Sequence, residues 1–325
     1  MQQQAYNLEQ FITENAAGNV KTKLRKNFAI KILIIAFVIV ITSMFSFNVM
    51  VSLKLETTSE QAVTELESVE QLMHNNLIFL RNQGRQLAAN SELLRFVLTQ
   101  ELSSKAFIET SWLKLASNLE KFRSIAYYDN TGEQQIKVNY DRDDFTARSA
   151  YEYQDVSDQF YFQHTIDLIE EQVYTSNIHL LTDYQELVYP LQPMLRIASP
   201  VYTGENLADG IVVLNVFADN FLSLIDTVTK NSVGDTLLIN HEGFYVVNPD
   251  QDMQWGQSLA ERRSFNFAKS FPSRWQKMID KKSSKAKTND GYFIFNQVQF
   301  DDSISSSRNY ILVRHIKHQD VASRM

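Results

Sequence analysis

The chain has 325 residues, of which 44% are hydrophobic and 12% aromatic, and it carries a net charge of −7 with no cysteine. The hydrophobic share is ample for one large domain or two modest domains with packed cores. The acidic balance speaks against nucleic acid as a partner, and the lack of cysteine excludes disulfides, cysteine-ligated zinc and thiol catalysis.

The first predicted element is a transmembrane helix over residues 28–52. Its centre, residues 32–51, holds 20 residues without a charge, which is about the length that crosses a bilayer core. Five basic residues precede this uncharged centre: Lys21, Lys23, Arg25, Lys26 and Lys31. Such a cluster stays cytoplasmic, so we predict a cytoplasmic tail over residues 1–27 and a single-pass protein whose body lies outside. A cleaved signal peptide is the alternative, but the apolar run is too long and no convincing cleavage site follows it.

A long amphipathic helix is predicted over residues 53–90, continuing directly out of the membrane. Apolar residues recur at spacings typical of one helix face: Leu66, Val69, Met73, Leu77, Leu80 and Leu87. Acids are predicted on the opposite face: Glu56, Glu60, Glu65, Glu67 and Glu70. The apolar stripe packs either on the domain behind it or on a twin helix in a homodimer.

The rest of the chain alternates between strand and helix patterns. Residues 91–122 keep helical spacing, after which the period changes to that of strands. Up to residue 217 we predict strands over 122–140 with a turn at 129–132, a loop over 141–156, a short helix over 157–171, a strand pair over 187–202 interrupted by Pro190 and Pro193, a loop over 203–210 and a strand over 211–217. Beyond it we predict a helical connector over 217–234, a hairpin turning on His241, Glu242 and Gly243, a short helix over 270–279, and strands over 292–300 and 309–316.

Six stretches occur in an order that resembles a known family: AYYDNTGEQQIKVNY, SDQFYFQHTIDL, RIASPVYTGENLADGIVVLNVF, GDTLLINHEGFYVVNPD, WGQSLAERRSFNFAKSFPSRWQKMI and NYILVRHI. The chain resembles the double Cache (tandem PAS-like) sensor module of bacterial transmembrane receptors, in the form found ahead of diguanylate cyclases. The resemblance implies an α+β fold with central antiparallel sheets, a membrane-distal lobe over 91–220, a membrane-proximal lobe over 221–316 and a juxtamembrane tail over 317–325. It also implies an inner-membrane protein with a periplasmic body, and a small ligand in the distal lobe. A second transmembrane helix and a cyclase, kinase or chemoreceptor output domain are expected after residue 316, and neither occurs in these 325 residues.

Two positions depart from the amino-acid-binding branch of this family. Gln159 stands where that branch has an arginine on the short helix, and Asn215 stands where it has an aspartate on the later strand. A ligand carboxylate and a ligand ammonium would each lose a charged partner. The sequence therefore favours a neutral or differently charged ligand over an amino acid.

Eight residues are the candidate ligand contacts: Tyr140, Asp158, Gln159, Tyr161, Phe162, Tyr189, Arg196 and Asn215. Strand alternation places Asn215 on one face with Ile211, Val213 and Phe217, and groups Arg196 with Met194 and Ala198. A polar group within an apolar strand needs a partner if it is buried, and a ligand would be one. The alternative is that the aromatic residues are ordinary core and that Arg196 is solvated at a sheet edge.

Metal, cofactor and catalytic signals are weak. Asp141, Asp143 and Glu152 fit three positions of a calcium loop, but Phe145 and Thr146 stand where a ligand and the turn glycine are required. His315 and His318 have no evident third ligand. Because no catalytic motif occurs, we predict neither enzyme activity nor a cofactor. The predicted function is a membrane-anchored extracytoplasmic sensor for a small molecule; the alternatives are a periplasmic protein-interaction module without a ligand and, less favoured, a membrane-tethered hydrolase.

Overall fold

The computed structural model describes residues 2–152, 154–183, 186–204, 207–281, 283–289, 291–300 and 309–324, with side chains from residue 25 onward except at 183. It divides into two units. One comprises Met1–Thr57 with Val321–Met325, and the other comprises Thr58–Asp320.

The described residues form a mixed helix-and-sheet fold, which confirms the α+β prediction. The helices are α1 (Gln2–Ala88), α2 (Ser91–Thr99), α3 (Leu102–Leu119), α4 (Phe160–Ile166), α5 (Asp219–Thr229), α6 (Phe267–Ser270), α7 (Pro272–Asp280) and α8 (His318–Ala322), with 3-10 turns at Gln251–Met253 and Ala260–Arg262. The strands are β1 (Phe122–Asp129), β2 (Gln134–Asp141), β3 (Thr146–Ser149), β4 (Tyr174–Thr175), β5 (His179–Leu180), β6 (Thr182–Asp183), β7 (Glu186–Leu187), β8 (Pro193–Val201), β9 (Gly210–Phe217), β10 (Asp235–Ile239), β11 (Tyr245–Val247), β12 (Ser283–Lys287), β13 (Gly291–Gln299) and β14 (Asn309–Lys317).

In the first unit, α1 carries the predicted apolar segment. Among the described residues it is the one helix long and apolar enough to cross a bilayer, and its apolar window has no buried residue. Large apolar side chains from Phe28 to Met50 are exposed along it. A continuous helix satisfies its own backbone hydrogen bonds, which is what a lipid environment requires.

The first sheet of the second unit has the strand order β3-β2-β1-β9-β8-β4, with β5 also paired to β8. The predicted turn between β1 and β2 is confirmed: the Asp129 carboxylate accepts hydrogen bonds from the backbone of Thr131 and Glu133, and Gly132 has a φ of +93°. The predicted loop over 141–156 is wrong in part, because β3 forms there and pairs with β2. This edge strand is short and polar, so it has no apolar alternation to reveal it.

Helix α1 packs its apolar stripe inside the second unit, which is the first of the two alternatives that the sequence left open. Leu66, Val69, Met73, Leu77 and Leu80 are each at most 1% exposed. At Gly84 the helix comes so close to β8 that a Cβ atom would lie 2.7 Å from the Ser199 hydroxyl oxygen. Since α1 contacts Ile197 and Ser199, the alternate residues of β8 point to the other face of the sheet.

The prediction that the acids of α1 all lie on the far face is wrong. Glu60, Glu65 and Glu70 contact side chains of the second sheet, namely Lys285, Arg314 and Asn296 respectively. These acids flank the apolar stripe and partner polar groups of that sheet, one of which is a buried guanidinium. A buried charge requires such a partner.

The second sheet has the strand order β11-β10-β14-β13-β12. Its predicted hairpin turn is confirmed, with the Asn240 side chain accepting hydrogen bonds from the backbone of Glu242 and Phe244. Strand β12 was missed because its sequence, SSKAK, has no apolar pattern. One face of this sheet is filled by packed apolar side chains: Leu237, Ile239, Tyr245, Phe267, Met278, Phe293, Phe295, Ile311 and Val313.

Buried contacts join the two sheets within the second unit. The backbone N–H of Ile178 donates to the Tyr310 hydroxyl at 2.7 Å, and the rings of Phe221 and Tyr310 pack on Phe300. Arg81 of α1 donates to the Thr175 hydroxyl and to the Phe300 carbonyl. The first sheet is thus connected to the second both directly and through α1.

Candidate ligand-binding site

A cavity of about 740 Å³ lies on the face of the first sheet opposite α1. Strands β1, β2, β8 and β9 supply its floor, and residues from 179–182 and 188–192 supply further wall. A cavity of this volume is within the range that holds small molecules. We call it the sheet cavity. A second cavity of about 380 Å³ shares Arg123 and Lys137 with it and extends over β3.

Four polar side chains cross the floor of the sheet cavity in one row. Asn139, Ser124, Asn215 and Arg196 lie in register on the adjacent strands β2, β1, β9 and β8. Arg196 donates from Nε to the side-chain oxygen Oδ1 of Asn215 at 2.9 Å, and Nδ2 of Asn215 donates to the Ser124 hydroxyl at 2.8 Å. We call this set the polar row. Its hydrogen bonds orient the Arg196 guanidinium.

The Arg196 guanidinium also lies over the Tyr161 ring, 4.0 Å from its centroid. Tyr161 reaches this place from α4, where it is buried. Within the described part of the chain, neither terminal nitrogen of Arg196 has a hydrogen-bond acceptor or an acidic partner. Both terminal nitrogens of this half-buried, cavity-lining cation are therefore available as donors.

A second cation, Lys137, lies on β2 beside the polar row. Its ammonium donates to the Gln154 side chain at 3.0 Å, and the Tyr128 hydroxyl donates to the same oxygen. Burial lowers the pKa of Lys137, and the positive charges of Arg123 and Arg196 lower it further, against an opposing effect of Glu152. The lysine is held in a region of positive potential.

Four acids line the sheet cavity, and one of the two half-buried ones, Asp141, accepts a hydrogen bond from the backbone N–H of Asp143 at 2.9 Å. Asp219 forms an ion pair with Arg142 at 2.8 Å, and the Arg142 guanidinium stacks 3.5 Å from the Phe217 ring centroid. Asp143 and Glu152 are exposed. In the described residues, no group of three or more His, Asp or Glu side chains is placed to hold a metal ion.

His179 lines the cavity as a neutral ring. Burial, followed by the charge of Arg196, lowers the pKa of His179 to about 4, and its Nδ1 lies 3.1 Å from the Asn177 carbonyl oxygen. With Nδ1 as the donor to that carbonyl, Nε2 is left as an acceptor.

We expect this histidine to destabilise the apo protein in acid. The folded state takes up its proton only near pH 4, whereas the unfolded chain takes it up near 6.5, so its contribution is complete above about 6.5 and is lost as the pH falls to 4. Allowing for the ring's remaining solvent contact, the loss is about 2 kcal/mol. The free energy of unfolding is measured with urea at pH 4, 5, 6 and 7. Between pH 7 and pH 4 it should fall by about 2 kcal/mol less in the His179→Gln variant than in the parent protein. Equal pH slopes in both proteins would contradict this assignment.

The structure brings four of the eight predicted contacts to the sheet cavity. Tyr161, Arg196 and Asn215 lie at its floor, and Tyr189, 69% exposed, lies at its edge. Ile211 and Val213 share the predicted face with Asn215.

The other four predicted contacts do not line the sheet cavity. Tyr140 is 1% exposed and alternates with Asn139, so it points to the opposite face of β2. Phe162 packs in the apolar cluster with Val156, while Asp158 and Gln159 are exposed at the start of α4. Helix α4 thus contributes one face to the cavity, and neighbours in sequence point elsewhere.

Sequence reasoning missed Ser124, Lys137, Asn139, Gln154 and His179. The signal for Ser124 and Asn139 was the same as for Asn215, a polar residue within an alternating apolar strand. Lys137 and His179 left no local signal, because an isolated basic residue usually lies on a solvated surface.

An antiparallel sheet with a polar-floored cavity, followed by a second, filled sheet and backed by one long helix, is the architecture of a receptor sensor domain. The chain belongs to the family described as "Bacterial histidine kinase, sensor domain", whose model matches residues 56–313. This confirms the sensor-module resemblance seen in the sequence.

Solved structures show the same fold. The extracellular domain of a putative histidine kinase is 23% identical with a TM-score of 0.72, covering 84% of this chain and 96% of that one. A domain of a putative sensory box/GGDEF family protein from Vibrio parahaemolyticus is 23% identical with a TM-score of 0.72, covering 83% and 99%. The sensory domain of the Campylobacter jejuni chemoreceptor Tlp3, with isoleucine bound, is 10% identical with a TM-score of 0.56, covering 83% and 97%. Among curated proteins, none matches this chain significantly.

Proposed function

We propose that this protein is a membrane-anchored extracytoplasmic sensor that binds a small molecule in the sheet cavity and acts as the non-catalytic input module of a receptor. The observation that carries the proposal is the polar row beneath a cavity of about 740 Å³. Polar groups converging in a concave site are how small ligands are oriented. Tyr161, Tyr189, Arg196 and Asn215 are the proposed contacts.

The proposed topology has one helix in the inner membrane, a cytoplasmic amino end and a periplasmic body. The exposed apolar surface of α1 and the basic cluster before it support this arrangement. The membrane-distal lobe is proposed over 91–220 and the membrane-proximal lobe over 221–316. The first sheet lies within the first range, and the second sheet lies within the second range except for Lys317, the last residue of β14.

Signal transfer is proposed to run through α1. Gly84 places the helix against β8, on the strand that carries Arg196, and Glu65 connects the helix to β14. A ligand with different affinities for two arrangements of β8 would bias the position of the helix. Leu72, Ile78 and Phe79 are exposed on α1 and support a homodimer through a twin helix.

A thermal-shift screen of the purified full chain in detergent tests the proposal. With a ligand at about 100 times its Kd, binding stabilises by about 2.7 kcal/mol, which raises the melting temperature by roughly 5 °C or more. The screen includes organic acids, amines, nucleobases, amino acids and sugars. Filling the cavity with Leu181→Trp should remove the shift, whereas Leu102→Trp, at a residue 79% exposed, should retain it.

A screen without any shift would contradict ligand binding. It would favour the alternative function, a periplasmic protein-interaction module that uses the same two lobes without a small molecule.

A further inference from the structure

We propose that the ligand is an organic oxyanion without an ammonium group, and that its anionic head binds the terminal guanidinium nitrogens of Arg196. This inference rests on the proposed function and specifies the chemical class of its ligand.

The first support is the state of Arg196 itself. Its Nε is committed to Asn215 and its face is covered by Tyr161, so the guanidinium is held in one orientation. Arg196 lines the cavity, and its two terminal nitrogens have no acceptor among the described residues. A fixed pair of parallel donors matches the two oxygens of a carboxylate or of a phosphoryl or sulfonyl group. A half-buried cation without a counter-charge is also costly, and an anion relieves that cost.

The second support is the position of this arginine. Arg196 lies on β8, between β9 on one side and the short strands β4 and β5 on the other. An anion held here sits on the sheet floor, at the end of the polar row.

The third support is the lack of a place for a ligand ammonium at the floor. Oδ1 of Asn215 already accepts from Arg196, and Asn215 is neutral. Asp219 is paired with Arg142, Asp141 at the end of β2 accepts from the backbone N–H of Asp143, and Asp143 and Glu152 lie in solvent. The polar row itself, all of whose members are described, therefore carries no carboxylate to balance a positive group.

The fourth support is Lys137, which extends the positive region. Its ammonium contacts a neutral oxygen of Gln154, and no carboxylate forms an ion pair with it in the described structure. The second cavity shares this lysine and Arg123. A ligand with a second anionic group placed toward β2 would gain from both cations, so dianions should bind better than monoanions of the same length.

The test compares ligands matched in shape but not in charge. Titration calorimetry of the full chain in detergent uses a broad metabolite library, then sets each binder against its amide, its amino-substituted analogue and its phosphate or sulfonate counterpart. Succinate, succinamide and L-aspartate form the first such set. We expect the anion to bind about 10- to 100-fold more tightly than the amide, and the added ammonium to weaken binding. The phosphate and sulfonate arms distinguish the kinds of oxyanion.

Variants assign the effect to Arg196. Arg196→Gln should lower the affinity for the anion about 10- to 100-fold, and Arg196→Lys should lower it less. Arg95→Gln, at an exposed cation on α2, should leave the affinity unchanged. Circular dichroism checks that each variant is folded. Binders that are neutral or cationic would overturn the anion inference. Amino acids that bind as well as their deaminated analogues would overturn it too. In both cases the proposed sensor function would be retained. Anion binding that is unchanged in folded Arg196→Gln also overturns it, and a library with no binder of any charge overturns both.

Discussion

Replacing Glu65 with leucine is expected to lower the free energy of unfolding by about 3 kcal/mol. Glu65 accepts from Arg314 at 2.8 Å, and Arg314 is 1% exposed. Without the carboxylate, a buried guanidinium loses its ion pair with α1 and keeps its hydrogen bonds to the Gly234 carbonyl and the Thr236 hydroxyl. Breaking one side of a buried ion pair typically costs about 3–5 kcal/mol because the remaining charge stays desolvated. Urea unfolding followed by intrinsic fluorescence measures the loss.

Two further variants separate the charge effect from other causes. The pair Glu65→Leu with Arg314→Met should recover most of the loss, because both charges are removed together. Glu67→Leu changes an exposed acid of the same helix and should cost less than about 0.5 kcal/mol. If Glu65→Leu is no more destabilising than Glu67→Leu, the buried pair does not connect α1 to β14.

The second large effect is expected from Phe267→Ala, at about 3–5 kcal/mol. Phe267 is 1% exposed, and its ring packs against Tyr245, Phe271, Trp275 and Phe293. Removing it leaves a cavity at the centre of the apolar cluster on the second sheet, where surrounding rings cannot collapse fully. Differential scanning calorimetry and urea unfolding should both report the loss.

Phe271→Ala is the matched control for this prediction. Phe271 touches the same ring but is 42% exposed, so its removal should cost about 1 kcal/mol. Equal losses for the two variants would show that this face of the second sheet is not filled as the structure has it.

These two regions bear on how a sensor of this kind transmits a signal. Between Glu65 and Gly84, α1 rises about 28 Å at 1.5 Å per residue, so it spans the distance from β14 to β8 as one rigid element. The second sheet is filled by aromatic side chains, whereas the first carries the cavity. Strand β8 carries both Arg196 and the residues that α1 touches, which supports the proposed transfer of a signal from the cavity to the helix.

Much of the fold follows from local patterns in the sequence. The stripe Leu66 to Leu80 and the alternation of β9 were predicted because a helix repeats every 3.6 residues and a strand every two. The same alternation predicted which neighbours share a strand face with Arg196 and which share one with Asn215. The turn at 129–132 was predicted from its residue types, Asp, Asn, Thr and Gly, which favour turns. Family resemblance, carried by six ordered stretches, then implied the arrangement of the two sheets.

Only the tertiary structure decided which of these residues meet. Ser124 and Asn215 are 91 positions apart, and they pair because β1 lies between β2 and β9, an order that periodicity within one strand does not contain. For the same reason Glu65 was predicted to face away from the core, whereas it accepts a hydrogen bond from a buried arginine 249 positions later. Local periodicity determines the face on which a side chain stands. The packing of distant segments determines what it touches, and the candidate site is built from those long-range contacts.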